Sequence, residues 1–375
     1  DQVSRLGSHF DPILAALAPL WWLWPSPEAL LVLQAVAVAA GAIPLYLLAR
    51  RHVAERPAAA IAGAYLLLPP VQWLTLSDFH PVALATPLLL AAWLCLDARR
   101  LWPFALFAAA AVATKEHVGL AVAGMGAWYG LGHRDLRRGA AIAAAAAAAA
   151  LVAALVVVPH FAATGSSAFE SRYEDPALDG DDLGYVARLL APLALLPFAA
   201  PLALLAALPE LALNALSSTR TQTSVQTHYA ATIAPALLVS TVFAVRRLGA
   251  WAAYAALAAA LAGTVALGPV GRVEVAADEH DAALRHAVAS IPDDAAVSAT
   301  NALGAHLSAR RRIFSFPVLR EADWVAVDTT RLTYLDSLRA ERARPALAAL
   351  RSDPEWRRVF ARDGVLVFRR SGRAP

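Results

Sequence analysis

Four short clusters of ionisable and polar side chains interrupt the apolar runs of this 375-residue chain: Ser8-His9-Phe10-Asp11-Pro12, Ser77-Asp78-Phe79-His80-Pro81, Lys115-Glu116-His117 and Gln226-Thr227-His228-Tyr229. A carboxylate such as Asp78, with His80 two residues on, is suited to general-base or metal-ligand duty. Lys115 is the single lysine among 32 Lys+Arg. An ammonium is a compact point charge matched to a phosphate. Burying a charge at membrane depth costs roughly 2.5–3.5 kcal/mol on insertion scales, so such groups line cavities or pair with one another. Glu210 and Asn214 lie four apart, on one face of an apolar helical stretch. Plainer readings exist for each cluster. Ser77 or Asp78 can cap a helix starting at Pro81, and Asp11 can cap the one after Pro12. Lys115 and Glu116 can form an interfacial pair that snorkels. Capping leaves His80 unexplained. Taken together, the histidines, several carboxylates and the one lysine suit a polar, phosphorylated substrate at a membrane surface.

The elements that must hold these residues are apolar helices. Their other ends carry arginine: Arg50-Arg51-His52, Arg99-Arg100, His133 to Arg138, and Arg246-Arg247. Positive charge stays on the cytoplasmic side, so the His, Asp, Glu and Lys clusters collect on the opposite face. A span needs roughly 20 apolar residues, fewer where its ends are buried in protein. Residues 29–49, 57–76, 81–97, 101–114, 117–131, 139–159, 230–245 and 249–270 meet that test or come close. The stretch 10–24, with Trp21, Trp22 and Trp24, is expected as an interfacial or re-entrant helix. For 186–216 the arginine rule favours two short spans joined near Pro197 to Pro201. The Ala-rich 139–154 suits close helix packing. Outer loops are expected at 1–28, 160–188 and 217–228. The last of the outer loops leads into His228-Tyr229.

The composition, 59% hydrophobic and 16% charged with a mean hydropathy of +0.53, is too apolar for an ordinary soluble domain. The formal charge of +3 does not point to nucleic acid, because the basic residues lie at segment ends and in the C-terminal region. Cys95, the only cysteine, excludes an intrachain disulfide and a thiolate metal cluster. The chain begins at Asp1 without a signal peptide or first anchor, and a preceding segment is expected. No Walker loop, G-x-G-x-x-G, G-x-S-x-G or H-E-x-x-H motif occurs, which disfavours soluble nucleotide-dependent chemistry.

After about residue 271 the pattern changes. Helix-like 281–290 and 335–350 alternate with strand-like 296–299, 312–316, 324–327 and 365–368, and Asp363-Gly364 suits a hairpin turn. The fold class expected is therefore an all-α polytopic membrane bundle over 1–270 with a small α/β domain over 271–375, placed outside the plasma membrane.

The segments Gly7 to Leu14, Pro44 to Arg50, Ser77 to Pro81, Lys115 to Leu120 and Pro209 to Asn214 with His228-Tyr229 resemble a bacterial membrane-protein family, domain of unknown function 2079. Ile291 to Ala299 and Ala305 to Arg310 in the tail resemble it too. That family is grouped with the GT-C glycosyltransferases, polytopic enzymes that use polyprenyl-phosphate sugars. The resemblance implies a GT-C-like bundle acting on a polyprenyl-phosphate sugar donor in the lipid bilayer, with a cell-envelope glycan, lipid or protein as acceptor. Two departures are visible. The family usually carries an acid after the lysine–glutamate pair, where this chain has His117. GT-C enzymes also place an essential acid in the first outer loop, after a first span that this chain does not contain, and Asp1 is only a stub of that loop.

Under this reading Asp78 serves as base or metal ligand, and Lys115 with His117 holds the leaving phosphate. Glu116 positions Lys115 and counts with Asp78 as catalytic. His9 and His228 line the mouth, with His80, Glu210 and Tyr229 also contacting substrate. A divalent metal is compatible with the His and Asp pairing. The rival readings are a transporter or flippase of a lipid-linked or anionic solute, and a non-enzymatic scaffold presenting the tail domain.

Overall fold

The structure is a computed structural model that describes residues 4–163, 165, 170–173, 180–271, 276–333, 336–337 and 339–371. The chain divides into two compact units, one of residues 1–24 with 28–272, the other of 273–375 with 25–27.

The first unit is helical. It opens with two short helices, α1 (Ile13–Ala16) and α2 (Ala18–Leu23). Their tryptophan-rich end leaves Trp22 and Leu23 largely exposed. Helices α3 (Pro27–Ala40) and α4 (Ala42–Arg50) run on as one apolar rod with a turn at Gly41. Next come α5 (Glu55–Leu66) and α6 (Pro69–Leu76), bent by 50°. The bend falls where Pro69-Pro70 forces Leu68 into an extended conformation. α7 (Ala85–Asp97), α8 (Leu101–Val112), α9 (Val118–Gly132) and α10 (Leu136–Val152) then zigzag. Among the described residues, Pro27–Arg50 and Leu136–Phe161 are each long and apolar enough to cross a membrane, and the bent pair α5–α6 makes up to a third. Of the remaining helices, α8 and α15 (Trp251–Leu267) are shorter than the expected 101–114 and 249–270, whereas α9 and α14 (Ile233–Leu248) keep the expected lengths, shifted by one and three residues, and α7 with the 3-10 turn Pro81–Leu84 fills 81–97.

The alanine run of α10 packs on α9 at backbone distance. A Cβ on Gly139 would lie 2.4 Å from the Gly130 Cα, and one on Gly126 would lie 2.6 Å from the Ala143 nitrogen. Only small residues allow that approach, which gives the two helices van der Waals contact along their length. α10 continues through one π-helical turn, Ala153–Val157, into α11 (Val158–Phe161).

Residues 186–216 differ from the two spans expected to meet near Pro197 to Pro201. α12 (Gly180–Leu190) and α13 (Leu208–Ala215) are separated by three 3-10 segments, Ala191–Leu193, Leu196–Ala199 and Pro201–Ala206. Pro192, Pro197 and Pro201 each remove an amide donor, and Ala194 and Leu195 adopt φ of +52° and +57°. The outer loop expected over 160–188 is likewise shorter, since residues to Phe161 and from Gly180 are helical. Of its polar residues, Ser166, Ser167 and Asp179 lie outside the described ones. α14 (Ile233–Leu248) and α15 (Trp251–Leu267) complete the unit. α14 is buried along most of its length.

The second unit is a five-stranded sheet in the order β2-β1-β3-β5-β4. β1 (Val297–Ala299) pairs in parallel with β2 (Ile313–Ser315) and β3 (Trp324–Asp328). β5 (Val365–Arg370) runs antiparallel to β3 and to β4 (Trp356–Arg362). Strand period explains how it is sandwiched. Val297, Ala299, Ala326, Val365 and Val367 share one core with residues of α16 (Glu279–Ala289) and α17 (Asn301–His306). Val325, Val327, Leu366 and Phe368 face the other core, with Leu350 of α18 (Ala340–Ser352). The turn at Asp363-Gly364 joins β4 to β5 with φ of +47° and +76°, as a tight hairpin requires.

Inside this domain His280 is almost fully buried between two carboxylates. Its Nε2 lies 2.9 Å from Asp328 Oδ2 and its Nδ1 2.9 Å from Asp363 Oδ2. Burial alone would lower the imidazole pKa; the two carboxylate hydrogen bonds outweigh it and raise it. The pair ties α16 to the end of β3 and to the β4–β5 hairpin.

Candidate functional site

A cavity of about 370 Å³ opens where α9, α10 and α13 meet the linkers around His9, Arg172 and Tyr229. Seven residues singled out from the sequence line it: His9, Lys115, Glu116, His117, Glu210, Asn214 and Tyr229. Their side chains converge because α8 ends at Val112 and α9 starts at Val118, leaving the three-residue cluster on the connecting turn. α13 presents Glu210 and Asn214 one turn apart on its buried face.

The partners within the cavity differ from those expected. Glu116 does not pair with Lys115. Its Oε1 accepts from His9 Nδ1 at 3.1 Å and its Oε2 from the Phe10 amide at 3.0 Å, so the carboxylate anchors the N-terminal segment to the α8–α9 linker. Burial alone would raise this carboxyl; the His9 hydrogen bond and the fields of His117, His9 and Lys115 outweigh that and hold it down to about 2. Glu116 is therefore an anion at neutral pH. Lys115 Nζ sits 5.3 Å from the centre of the Tyr229 ring, in the range of a cation–π contact. It makes no ion pair with a carboxylate among the described residues. His117 Nε2 instead lies 3.1 Å from Glu210 Oε2.

Arg172 is a second cation on the wall, and its guanidinium donates to the Tyr229 hydroxyl at 3.0 Å. Asn214 Nδ2 donates to the Tyr185 hydroxyl at 3.1 Å and to the Tyr229 carbonyl at 3.3 Å. The amide oxygens of Asn214 and Gln222, both cavity residues, are buried without a hydrogen-bond partner among the described residues. The opposite wall is apolar: Leu151, Ala154, Leu155 and Val158 of α10, its π-helical turn and α11. Leu151 and Leu155 are also more than half exposed on the outside of the bundle. π-helical turns of this kind occur disproportionately at functional sites.

The other expected residues stand beside this cavity. His228 shares a small adjoining recess with His117, Glu210 and Tyr229. His80 stacks on the His228 ring with centroids 3.8 Å apart. Asp78 is exposed at the end of α6, outside the described cavity lining. Neither Ser77 nor Asp78 caps the helix that follows; His80 occupies the N-cap position without a side-chain cap. The loop is held by Gln34, fully buried in α3, which donates to the carbonyls of Leu74 and Ser77 and accepts from the His80 amide. Asp11 is likewise no helix cap. It is buried and accepts from Arg5 at 2.7 Å, while Pro12 takes the N-cap position of α1. Among the described residues no group of three or more His, Cys, Asp or Glu is arranged to hold a metal ion.

Not singled out from the sequence were Gln34, the cavity residues Arg172, Tyr173 and Gln222, and Asn214's partner Tyr185. Only Gln34 left a signal, an amide in an apolar run that must be bonded if buried.

A family model described as "Predicted membrane protein (DUF2079)" matches residues 1–367. No curated protein matches the chain. Among solved structures, the crystal structure of ArnT from Cupriavidus metallidurans in the apo state is similar over 96% of this chain and 88% of that one, with a TM-score of 0.56 at 13% identity. The likeness at that identity is one of fold, and the fold is GT-C-like.

Proposed function

Because the chain belongs to the DUF2079 family of predicted membrane proteins and shares its fold with ArnT, a GT-C glycosyltransferase, we propose that its cavity transfers a sugar from a polyprenyl-phosphate carrier to a cell-envelope acceptor at the extracytoplasmic face. One observation carries the reading: three chemistries meet in a single cavity. Lys115 and Arg172 supply cations for a phosphate. Asn214 and Gln222 hold buried acceptors without partners among the described residues, as sugar hydroxyls would satisfy. The apolar wall reaches the outside of the bundle at Leu151 and Leu155, where a lipid chain can lie against it.

In the inverting mechanism the acceptor hydroxyl gives its proton to a base while its oxygen bonds to the anomeric carbon. The carbon–oxygen bond to phosphate breaks, and polyprenyl phosphate departs with the electron pair. Lys115 and Arg172 stabilise that developing charge. Base duty, expected for Asp78, fits His117 with Glu210 better, because this imidazole–carboxylate pair lines the cavity and Asp78 does not. His9 and Glu116 close one side, and His228 with His80 buttresses Tyr229.

The test is Lys115→Met in full-length protein that still inserts. Sugar transfer from a polyprenyl-phosphate donor is expected to fall by roughly two orders of magnitude, the scale of one lost transition-state contact to a developing charge. A normal rate would refute the assignment. The transporter reading draws on the bent α5–α6 pair and the 3-10 stretch 191–206, since broken helices recur in transporters. Flipping of the lipid-linked sugar in vesicles, without transfer, would decide for it.

A further inference from the structure

A second cavity, of about 730 Å³, lies at the arginine-bearing ends of the same helices. α9 relates the two: it begins just after His117 and ends just before His133, a wall of the second cavity. Its 15 residues set the two ends about 22 Å apart. Arg51, His52, Asp97, His133 and Arg246 form the polar part of the lining, and Trp128 and Phe243 contribute aromatic walls.

The charges there do not balance locally. Asp97 is the one carboxylate of the described lining, and it is shared: Arg51 Nε donates to Oδ2 at 2.6 Å and His52 Nε2 lies 2.9 Å from Oδ1. The Arg246 guanidinium reaches His52 Nδ1 at 3.4 Å and has no carboxylate among the described residues. His133 shows the same deficit. Arg99 Nε donates to its Nδ1 at 3.3 Å, so the neutral ring carries its proton on Nε2. That Nε2 is buried and has no hydrogen-bond partner among the described residues. A donor left without an acceptor in a buried position is costly unless something supplies one.

We propose that this cavity binds a phosphate-bearing anion, with Arg246 and His133 as its donors and Asp97 holding Arg51 and His52 in place. The shared chemistry is a phosphate group, carried either by an anionic lipid whose chains pass the aromatic walls or by a small solute. Basic pockets between membrane helices suit such headgroups. The site is separate from the sugar cavity, and it stands whether or not the transferase reading does.

Native mass spectrometry of the full chain in detergent tests it, with phosphatidylglycerol and phosphatidylcholine of matched acyl chains added in turn. The wild-type protein is expected to retain phosphatidylglycerol roughly tenfold over phosphatidylcholine. Arg246→Gln should erase most of that preference, as losing a charge-assisted contact does. Arg246→Lys should keep part of it. His133→Phe preserves a ring against Trp128, removes the donor, and provides a second variant should the first fold poorly. Displacement of the lipid by millimolar inorganic phosphate identifies a small anion as sufficient, and failure to displace it identifies the lipid. Equal retention of both lipids by the wild type, or an undiminished preference in folded Arg246→Gln and His133→Phe, would overturn the proposal.

Discussion

Replacing Glu116 by alanine should release the N-terminal segment from the bundle. The carboxylate holds that segment by two hydrogen bonds, from His9 Nδ1 and from the Phe10 amide, at 3.1 and 3.0 Å. Bonds to a charged acceptor contribute roughly 1.5–3 kcal/mol each. Both side chains of the His9–Glu116 pair retain about a fifth of their exposure, so solvent screening reduces the sum. A net loss of about 2–3 kcal/mol is expected, which is about a 30- to 150-fold change in an opening equilibrium at about 1.4 kcal/mol per factor of ten. Hydrogen exchange measured by mass spectrometry on the full chain reads this directly. Peptides covering residues 5–12 should lose protection by that factor, while peptides from β3 serve as the unaffected reference. Glu116→Gln keeps an acceptor for the Phe10 amide and should lose less. The sign of the pH dependence follows from the carboxyl's depressed pKa of about 2. Its contribution is fully present above the unfolded value near 4.5 and disappears as pH falls towards 2, so protection of residues 5–12 should survive at pH 5. Unchanged exchange in a folded Glu116→Ala protein would refute the anchoring role.

Two further outcomes follow from packing and charge. His280 has a raised pKa, so its stabilisation is complete below the unfolded value near 6.5 and is lost as pH rises through the folded one; protection of β3 and β5 amides, corrected for intrinsic exchange, should decline on that limb in the wild type and stay flat in His280→Gln. Gly139→Ala places a methyl 2.4 Å from the Gly130 Cα and should lower the apparent Tm in detergent by the roughly 1–3 kcal/mol of an overpacked contact, whereas Gly132→Ala, whose nearest neighbour would be 3.6 Å away, should be near neutral.

What the sequence disclosed and what it withheld have a common physical cause. Lys115, His117, Glu210 and Tyr229 stand out because polar groups at the ends of apolar runs have few places to go, and the bundle brings them to one cavity. Which of them touch is a tertiary matter. Sequence adjacency suggests Lys115 with Glu116, yet neighbouring residues on a turn point apart, and Glu116 meets a histidine 107 positions away. Arg172 and Gln222 sit in polar linkers where one more polar residue carries no pattern. Asp78 reads as chemistry from its Asp-Phe-His spacing, and only the bend of the chain at Pro69-Pro70 and the grip of Gln34 set where it lies. In the tail domain the alternating strands are readable, whereas β4, with Arg357, Arg358 and Arg362 in its seven residues, shows no apolar alternation to find.

Those same arginines have a consequence for the whole domain. Among the described strands β4 has its hydrogen-bonded neighbour, β5, on one flank and no strand on the other, so it forms an edge of the sheet. Three cations within seven residues make a second copy of the same strand a poor guest, since like charges would be brought into register. A positively charged border of this kind disfavours edge-to-edge pairing.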